Sequence, residues 1–263
     1  MPTRFAERAD GRIAYEVEGT GPTVLMIPSL GRGASDFVDL AHAIAEVGFR
    51  AVRMQPRGIG DSIGIMQGVT MADLAEDAAS VIADVAGTPA VVIGHAFGQR
   101  VARSMAARHP AIVRALVMLA AGGRTNMLPG AEDALAACYD LALPDAARLA
   151  AIKHAFFADG YDPAIWLDGW YPIAQRMQMA ANRTEPVDVW WSAGSSVQIL
   201  VVQGLQDTVA PPDNGRLMLA EAPDRVELVE LDGAGHALLP EQPDAIAHAV
   251  IAFLKRTAGE GSV

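Results

Sequence analysis

The sequence is poor in cysteine and has no long apolar run. Its single cysteine, Cys138, cannot form an internal disulfide, which excludes a small disulfide-stabilised fold and favours a role as a buried apolar side chain. No stretch approaches the roughly 20 apolar residues of a membrane-spanning helix. The first dozen residues carry several charges and no apolar segment like that of a secretory signal. These absences predict a cytoplasmic protein with no membrane partner.

Positive charge is scarce as well. The chain has 20 Lys and Arg against 31 Asp and Glu, a net charge of −11, and its basic residues form no run. Such a protein is not expected to bind nucleic acid, which is attracted by basic surfaces. The sequence also lacks metal-ligand spacings and the glycine-rich loops that hold phosphates or dinucleotides. We therefore expect no metal, no cofactor and no nucleic-acid partner, but a small-molecule substrate or ligand. A homodimer is compatible with the sequence.

The chain does contain a regular alternation of short apolar runs with helical spacings. Between two of these runs, Thr70 and Asp73 form a capping-box pattern ahead of apolar residues at helical spacing. Residues 12–17 alternate apolar and polar side chains, which predicts an early antiparallel edge strand. The alternation predicts an α/β fold with a mainly parallel central sheet flanked by helices. The predicted core strands are residues 24–27, 51–54, 90–93, 113–119, 197–202 and 226–231.

The alternation stops at about residue 122, where helical segments rich in tryptophan replace strands. We predict a core domain formed by residues 1–121 and 197–263, with a helical cap inserted at 122–196. The large aromatic residues of this cap are predicted to line an apolar substrate pocket, and the alternative is that they form the cap's own small core. These residues are Trp166, Trp170 and Tyr171. The same prediction and the same alternative apply to Met177 and Met179.

The most informative motif follows the predicted strand at 90–93. Gly94 and Gly98 flank Ala96, and a helical pattern comes next, so the small residues allow a sharp turn that lifts the central side chain above the sheet. This strand, turn and helix resemble the nucleophile elbow of the α/β-hydrolase family, with Ala96 at the position of the family's serine nucleophile. Arg100 and Arg103, on the helix after the turn, are predicted to form a solvated or salt-bridged face.

Three further stretches resemble the same family in the same chain order. Ser29 and Leu30 follow the first core strand, and the resemblance implies an oxyanion hole made by the backbone N–H groups of Leu30 and Phe97, with Ser29 near the substrate. Residues 57–62 resemble the family's Arg-Gly-X-Gly-X-Ser turn. The segment after the strand ending at Val202 resembles the one that carries the family's acid.

The resemblance also implies a catalytic acid and a general base. Asp207 takes the acid position, and His236, in a Gly-Ala-Gly-His sequence after the last core strand, takes the position of the base. In such a site a neutral imidazole accepts a proton from a hydroxyl group, and the carboxylate orients the ring. Ala96 has no hydroxyl group to acylate. The chain is therefore predicted to be inactive as a serine hydrolase in this form.

The resemblance implies an esterase-like or lactonase-like site for an apolar ester or lactone. Two alternatives remain open at this point. The dyad of His236 and Asp207 could act without covalent catalysis, as in a water-activating hydrolase, a lyase or a cofactor-free oxygenase. The fold could instead serve as a small-molecule-binding, receptor-like module. The alanine at position 96 is either the natural residue or a replacement of a natural serine.

Overall fold

The computed structural model of the protein describes residues 2–85, 89–194 and 196–259. Of the predicted core domain, residues 1, 86–88 and 260–263 lie outside the described residues, as does residue 195 of the predicted cap. The predicted α/β fold is confirmed: one mainly parallel sheet carries helices on both faces.

The sheet contains nine described strands. They are β1 (Arg4–Arg8), β2 (Gly11–Glu18), β3 (Thr23–Ile27), β4 (Arg50–Met54), β5 (Ile63–Gly64), β6 (Ala90–His95), β7 (Val113–Leu119), β8 (Gln198–Gly204) and β9 (Val226–Leu231). Their order in the sheet is β1-β2-β4-β3-β6-β7-β8-β9, with β5 paired to β2. The pairs β1–β2, β2–β4 and β2–β5 are antiparallel, and all the other described pairs are parallel.

Nine α-helices are described, together with two short 3-10 helices at Ala34–Phe37 and Pro163–Trp166. The segment between β7 and β8 contains four of the α-helices and, in its described part, no strand. The α-helices are α1 (Val38–Glu46), α2 (Met71–Val85), α3 (Phe97–Arg108), α4 (Ala131–Cys138), α5 (Asp145–Phe156), α6 (Pro172–Asn182), α7 (Val187–Trp190), α8 (Asp213–Glu221) and α9 (Pro243–Gly259). None of the described helices is long and apolar enough to cross a membrane.

The central strands are mainly apolar because both faces of the sheet are covered. Every residue of β3 is buried, and alternate residues point to opposite faces. Leu25 and Ile27 pack in one hydrophobic cluster, and Val24 and Met26 pack in the other. The predicted helix start at Thr70 is present, since the Asp73 carboxylate accepts a hydrogen bond from the Thr70 N–H at 2.8 Å.

Two strands were not predicted from the sequence. β1 spans five residues in which two adjacent apolar residues are flanked by charged ones, and β5 spans two residues, so neither shows a clear periodicity. Both strands form by pairing with β2, whose backbone N–H and C=O groups along that edge would otherwise have no partner.

The sheet topology determines where a site can form. β3, β6, β8 and β9 are parallel, so the loops that follow them leave the sheet at the same edge. These loops contain the residues predicted to form the oxyanion hole, the nucleophile position, the acid and the base. The helical segment between β7 and β8 supplies side chains to the same region.

Candidate active site

The turn between β6 and α3 has the strained geometry that the elbow motif predicts. Ala96 has φ 48° and ψ −110°, a backbone conformation that residues with a Cβ rarely adopt. The turn is tight enough that a Cβ on Gly98 would lie 2.1 Å from the Ile27 carbonyl oxygen, and one on Gly94 would lie 2.4 Å from the Gln99 nitrogen. Glycine at both positions is therefore required by packing.

The loops after β8 and β9 bring the predicted acid and base together. The Nδ1 atom of His236 lies 2.8 Å from Oδ2 of Asp207, and both side chains are buried. The other carboxylate oxygen, Oδ1, accepts the N–H groups of Val209 at 2.9 Å and Ala210 at 2.7 Å. These donors hold the carboxylate in one orientation. Because Nδ1 of His236 donates to a carboxylate, Nε2 is the atom that carries the lone pair of the neutral ring.

A second carboxylate, that of Glu241, holds the loop that contains His236. It accepts the backbone N–H groups of Gly235 at 3.0 Å, Leu238 at 2.8 Å and Ala158 at 2.7 Å. Burial raises the pKa of Glu241, and the three backbone donors oppose that shift. Glu241 thus ties the loop on both sides of His236 to the chain that follows α5. The sequence showed only an acidic residue ahead of Pro243, so this role was missed.

We expect Glu241→Ala to lower the free energy of unfolding by about 3 kcal/mol, because three buried N–H groups lose their acceptor. Equilibrium denaturation in urea measures the change. Gln242→Ala is the neighbouring control, since that amide bonds the Asp232 carbonyl at an exposed site. An equal loss in both variants would contradict the role given to Glu241.

His95, next to the elbow, is a buried neutral histidine. Its Nε2 lies 2.8 Å from the backbone carbonyl oxygen of His236, so Nε2 carries the proton. Burial, helped by the nearby His236 and Arg32, lowers its pKa to about 3, although the hydrogen bond to the His236 carbonyl oxygen acts in the opposite direction. The side chain therefore acts as a packed donor that supports the His236 backbone.

The depressed pKa predicts a specific loss of stability in acid. Below pH 6.5 the unfolded chain binds a proton at His95 and the folded chain does not, so folding weakens by about 1.4 kcal/mol per pH unit towards the folded pKa. Between pH 6.5 and 4 we expect the free energy of unfolding of His95→Gln to fall less steeply with decreasing pH than that of the native protein, by about 1.4 kcal/mol per pH unit. Denaturation at each pH measures both slopes.

His42 provides the control of opposite sign. Its hydrogen bond to Glu18 raises its pKa, so its contribution to stability is present in acid and is lost as the pH rises. The difference between the native protein and His42→Gln should therefore grow as the pH falls. If the free energy of unfolding changed equally with pH in the native protein and in His95→Gln, His95 would be protonated in the folded state.

The loop after β3 is held at the site by the helical segment. The Tyr139 hydroxyl donates to the Leu30 carbonyl oxygen at 2.5 Å, and the Gly31 N–H donates to Oε1 of Gln178 at 2.7 Å. Among the described residues, neither the Leu30 nor the Phe97 backbone N–H donates to a protein acceptor. Both amides are thus available to an oxygen atom in the pocket.

One pocket of about 100 Å³ brings the predicted residues together. Ser29, Leu30, Ala96, Phe97 and His236 all line it. Asp207 is behind His236 and does not reach the wall. The remaining wall is mainly apolar, and of its residues only Met179 was predicted to line a pocket. It consists of Gln99, Arg100, Ala120, Gly122, Met127, Leu135, Tyr139, Phe156, Met179, Val209 and Ala210.

The three predicted aromatic contacts are not on this wall. Trp170 is buried against Tyr139 with ring centroids 5.0 Å apart, and its indole N–H donates to the Trp166 carbonyl oxygen at 2.5 Å. Trp166 lines a separate, larger cleft of about 460 Å³ that contains neither Ala96 nor His236. Tyr171 is 37% exposed. The rings of Trp166 and Trp170 pack on each other and on Phe156, so the alternative reading, a core of the helical segment, describes the packing of these two residues.

The two arginines of α3 correct another prediction. Arg103 is completely buried, and Arg100 lines the pocket, so they do not form a solvated face. In the described part of the chain neither has a carboxylate within 4.0 Å. Helical spacing alone could not reveal this, because Trp190 and Trp191 of the distant helical segment cover this side of α3.

Other sequence motifs have structural roles. The Ser62 hydroxyl accepts the Ala14 N–H and donates to the Gln55 carbonyl oxygen, each at 2.8 Å, and it holds a turn away from the pocket. The described residues contain no group of three or more His, Cys, Asp or Glu side chains that could hold a metal ion.

The comparison with known proteins agrees with this geometry. Residues 24–249 match the alpha/beta hydrolase family. The chain belongs to this family. A Variovorax paradoxus protein named "Putative carbamate hydrolase RutD" is 27% identical over 267 residues, which cover 94% of this chain and 97% of the relative. A Mycobacterium tuberculosis protein named "Putative non-heme bromoperoxidase BpoC" is 26% identical over 259 residues, covering 92% and 97%.

Solved structures of other proteins have the same fold as this chain. An esterase from Exiguobacterium antarcticum has a TM-score of 0.81 at 19% identity, covering 97% of this chain and all of that one. A thermophilic esterase from Thermogutta terrifontis has a TM-score of 0.78 at 19% identity, covering 98% and 99%. At this identity the likeness shows the fold alone.

Proposed function

We propose that this α/β hydrolase family member has a site of the ester or lactone hydrolase type that is inactive as a serine hydrolase because residue 96 is alanine. The observation that carries the proposal is the pocket itself. Ala96 and His236 share its wall with Leu30 and Phe97, and His236 is hydrogen-bonded to Asp207. The relative named above as a putative carbamate hydrolase is consistent with acyl-transfer chemistry.

In the proposed site each group has its own role. His236 would accept a proton from a hydroxyl group at position 96, and Asp207 would stabilise the imidazolium ion. The amides of Leu30 and Phe97 would bind the oxyanion that develops on the substrate carbonyl. With a methyl group at position 96 no acyl-enzyme forms, so the native protein binds the substrate and does not cleave it through this route. The apolar wall favours a small ester or lactone with an apolar body.

A panel of short-chain esters and lactones tests the proposal with the native protein and Ala96→Ser. We expect the native protein to show only a residual rate of hydrolysis, and Ala96→Ser to hydrolyse at least one class much faster. Inactivity of a folded Ala96→Ser protein across the whole panel would count against an acyl-transfer site. Rapid turnover by the native protein would count against the inactivity.

A second candidate is favoured by one observation: Asp207 and His236 keep a buried hydrogen bond although position 96 has no hydroxyl group. We propose as the alternative that this dyad deprotonates water or a carbon acid directly, with the two amides stabilising an enolate or oxyanion. Turnover by the native protein that is lost in His236→Ala would favour this candidate. Native turnover that persists in His236→Ala would exclude it.

A further inference from the structure

Arg100 is the charged side chain on the wall of the pocket that contains Ala96 and His236. It lies on α3, about one helical turn after the elbow, so the same turn that positions residue 96 also positions this guanidinium. One other side chain on this wall, that of His236, can carry a charge. The rest of the wall is apolar or neutral.

The Arg100 guanidinium has no counter-charge in the described chain. Its Nη1 atom donates to Oδ1 of Asn182 at 3.1 Å, and its Cζ lies 5.7 Å from the ring centroid of Trp190. No described carboxylate lies within 4.0 Å of it, in contrast to Arg32, Arg53 and Arg57, which are all paired. The Nε and Nη2 atoms have no described acceptor, and neither is fully buried.

Arg103 adds a second unpaired positive charge behind the wall. Its Nη2 donates to the Gly122 carbonyl oxygen at 2.6 Å, and its Nη1 donates to the Trp191 carbonyl oxygen at 3.2 Å. Its neighbour Arg124 is neutralised by Asp188 and Glu221, but Arg103 has no such partner among the described residues. Burial lowers the pKa of Arg100 and of Arg103, which expresses how unfavourable these charges are without an anion.

Removing a cation from water without a counter-charge is costly, and an anionic ligand that pairs with it recovers part of that free energy. We propose that Arg100 binds a carboxylate of the substrate, so that the site takes small esters or lactones that carry a free carboxylate, such as the half-esters of dicarboxylic acids. The reaction class rests on the proposed function, but the carboxylate-binding role does not, since the native protein can be tested by binding alone.

A carboxylate fits this pocket better than a phosphate group. The free Nε and Nη2 donors of one guanidinium form a planar fork that matches the two oxygens of a carboxylate. Arg103 lies behind the wall and contributes its positive charge only, because its Nη1 and Nη2 groups already donate to carbonyl oxygens. A dianionic phosphate would meet only one donor fork, whereas the apolar residues around it match the carbon chain of a half-ester.

The first test is binding to the native protein, which is proposed not to cleave the probe. Calorimetric titration with monomethyl glutarate and with dimethyl glutarate compares one carboxylate with its neutral counterpart. We expect the half-ester to bind more tightly, and Arg100→Gln to weaken its binding by roughly 10- to 100-fold, the range of a hydrogen bond to a charged group. Arg100→Lys should recover part of the affinity, since it keeps the charge and loses the fork.

Arg176→Gln is the matched control, because it removes the same charge from an exposed position on α6. We expect it to leave the affinity for monomethyl glutarate within about twofold, as for an exposed charge in salt. Equal weakening in Arg176→Gln and Arg100→Gln would overturn the proposal, as would tighter binding of inorganic phosphate than of the half-ester. Thermal unfolding confirms that each variant is folded.

The second test separates this inference from the proposed function. In the Ala96→Ser background, the ratio of kcat/KM for the half-ester to that for the diester should fall by roughly 10- to 100-fold on Arg100→Gln. An unchanged ratio in an active protein overturns the inference and leaves the hydrolase site standing. Arg100-dependent binding of the half-ester by a protein that cleaves nothing after Ala96→Ser supports the inference and refutes the proposed function.

Discussion

The Ala96→Ser variant should hydrolyse a short-chain p-nitrophenyl ester with a kcat between about 10³- and 10⁶-fold above the native rate, since removal of the nucleophile from a complete triad has an effect at the upper end of that range. The backbone at position 96 already accommodates a Cβ at φ 48°, so a serine adds only one oxygen atom. That oxygen would face the pocket that His236 also lines. Stopped-flow or steady-state release of p-nitrophenol measures the gain.

Two controls show whether the gain depends on the proposed site. His236→Ala in the Ala96→Ser background should return the rate close to the native value, because no base remains for the hydroxyl proton. Ala120→Ser adds a hydroxyl group to the same pocket at another alanine with positive φ, 54°, and should give no gain. A gain in Ala120→Ser as large as in Ala96→Ser would show that any hydroxyl group in the pocket suffices.

The second large effect concerns stability and lies outside the pocket. Asp77→Asn should lower the free energy of unfolding by about 3 to 5 kcal/mol, because it removes the counter-charge of a buried guanidinium. Nε and Nη2 of Arg57 donate to the Asp77 carboxylate at 2.8 and 2.7 Å, and both side chains are 2% exposed. Urea denaturation monitored by tryptophan fluorescence measures the loss.

Asp10 offers the matched control on the same guanidinium. It is also hydrogen-bonded to Arg57, but its side chain is 32% exposed, so water replaces much of what Asp10→Asn removes. We expect a loss of about 1 kcal/mol or less for this variant, as for other exposed ion pairs. Equal losses for Asp10→Asn and Asp77→Asn would mean that burial does not determine the strength of these pairs.

The fold and the placement of the candidate site residues at the strand ends could be predicted because they depend on local patterns in the sequence. The elbow needs only a strand, two glycines and a helix within a short stretch, and the structure has this turn at Ala96. Asp207 and His236 follow β8 and β9, and parallel strands carry their following loops to one edge of the sheet. The predicted core strands were found within one or two residues of their expected bounds.

The pocket wall could not be predicted, because its members come from segments distant in the chain. Phe156 and Met179 reach the pocket, whereas Trp166 and Trp170, on the same helical segment, pack away from it. Helical spacing shows which residues share a face of one helix but not what that face meets. The same limit applies to Glu241, whose three backbone donors come from two separate loops.

Taken by itself, the amino-acid sequence determined the α/β architecture and the chain order of the candidate nucleophile position, acid and base, since both depend on short-range periodicity and on turns that only small residues allow. Only the tertiary structure decided which side chains surround Ala96, and it left Arg100, at the pocket wall, without a carboxylate partner among the residues that the structure describes. The physical reason is that burial and charge pairing depend on which distant segments pack together, and no local pattern encodes that packing.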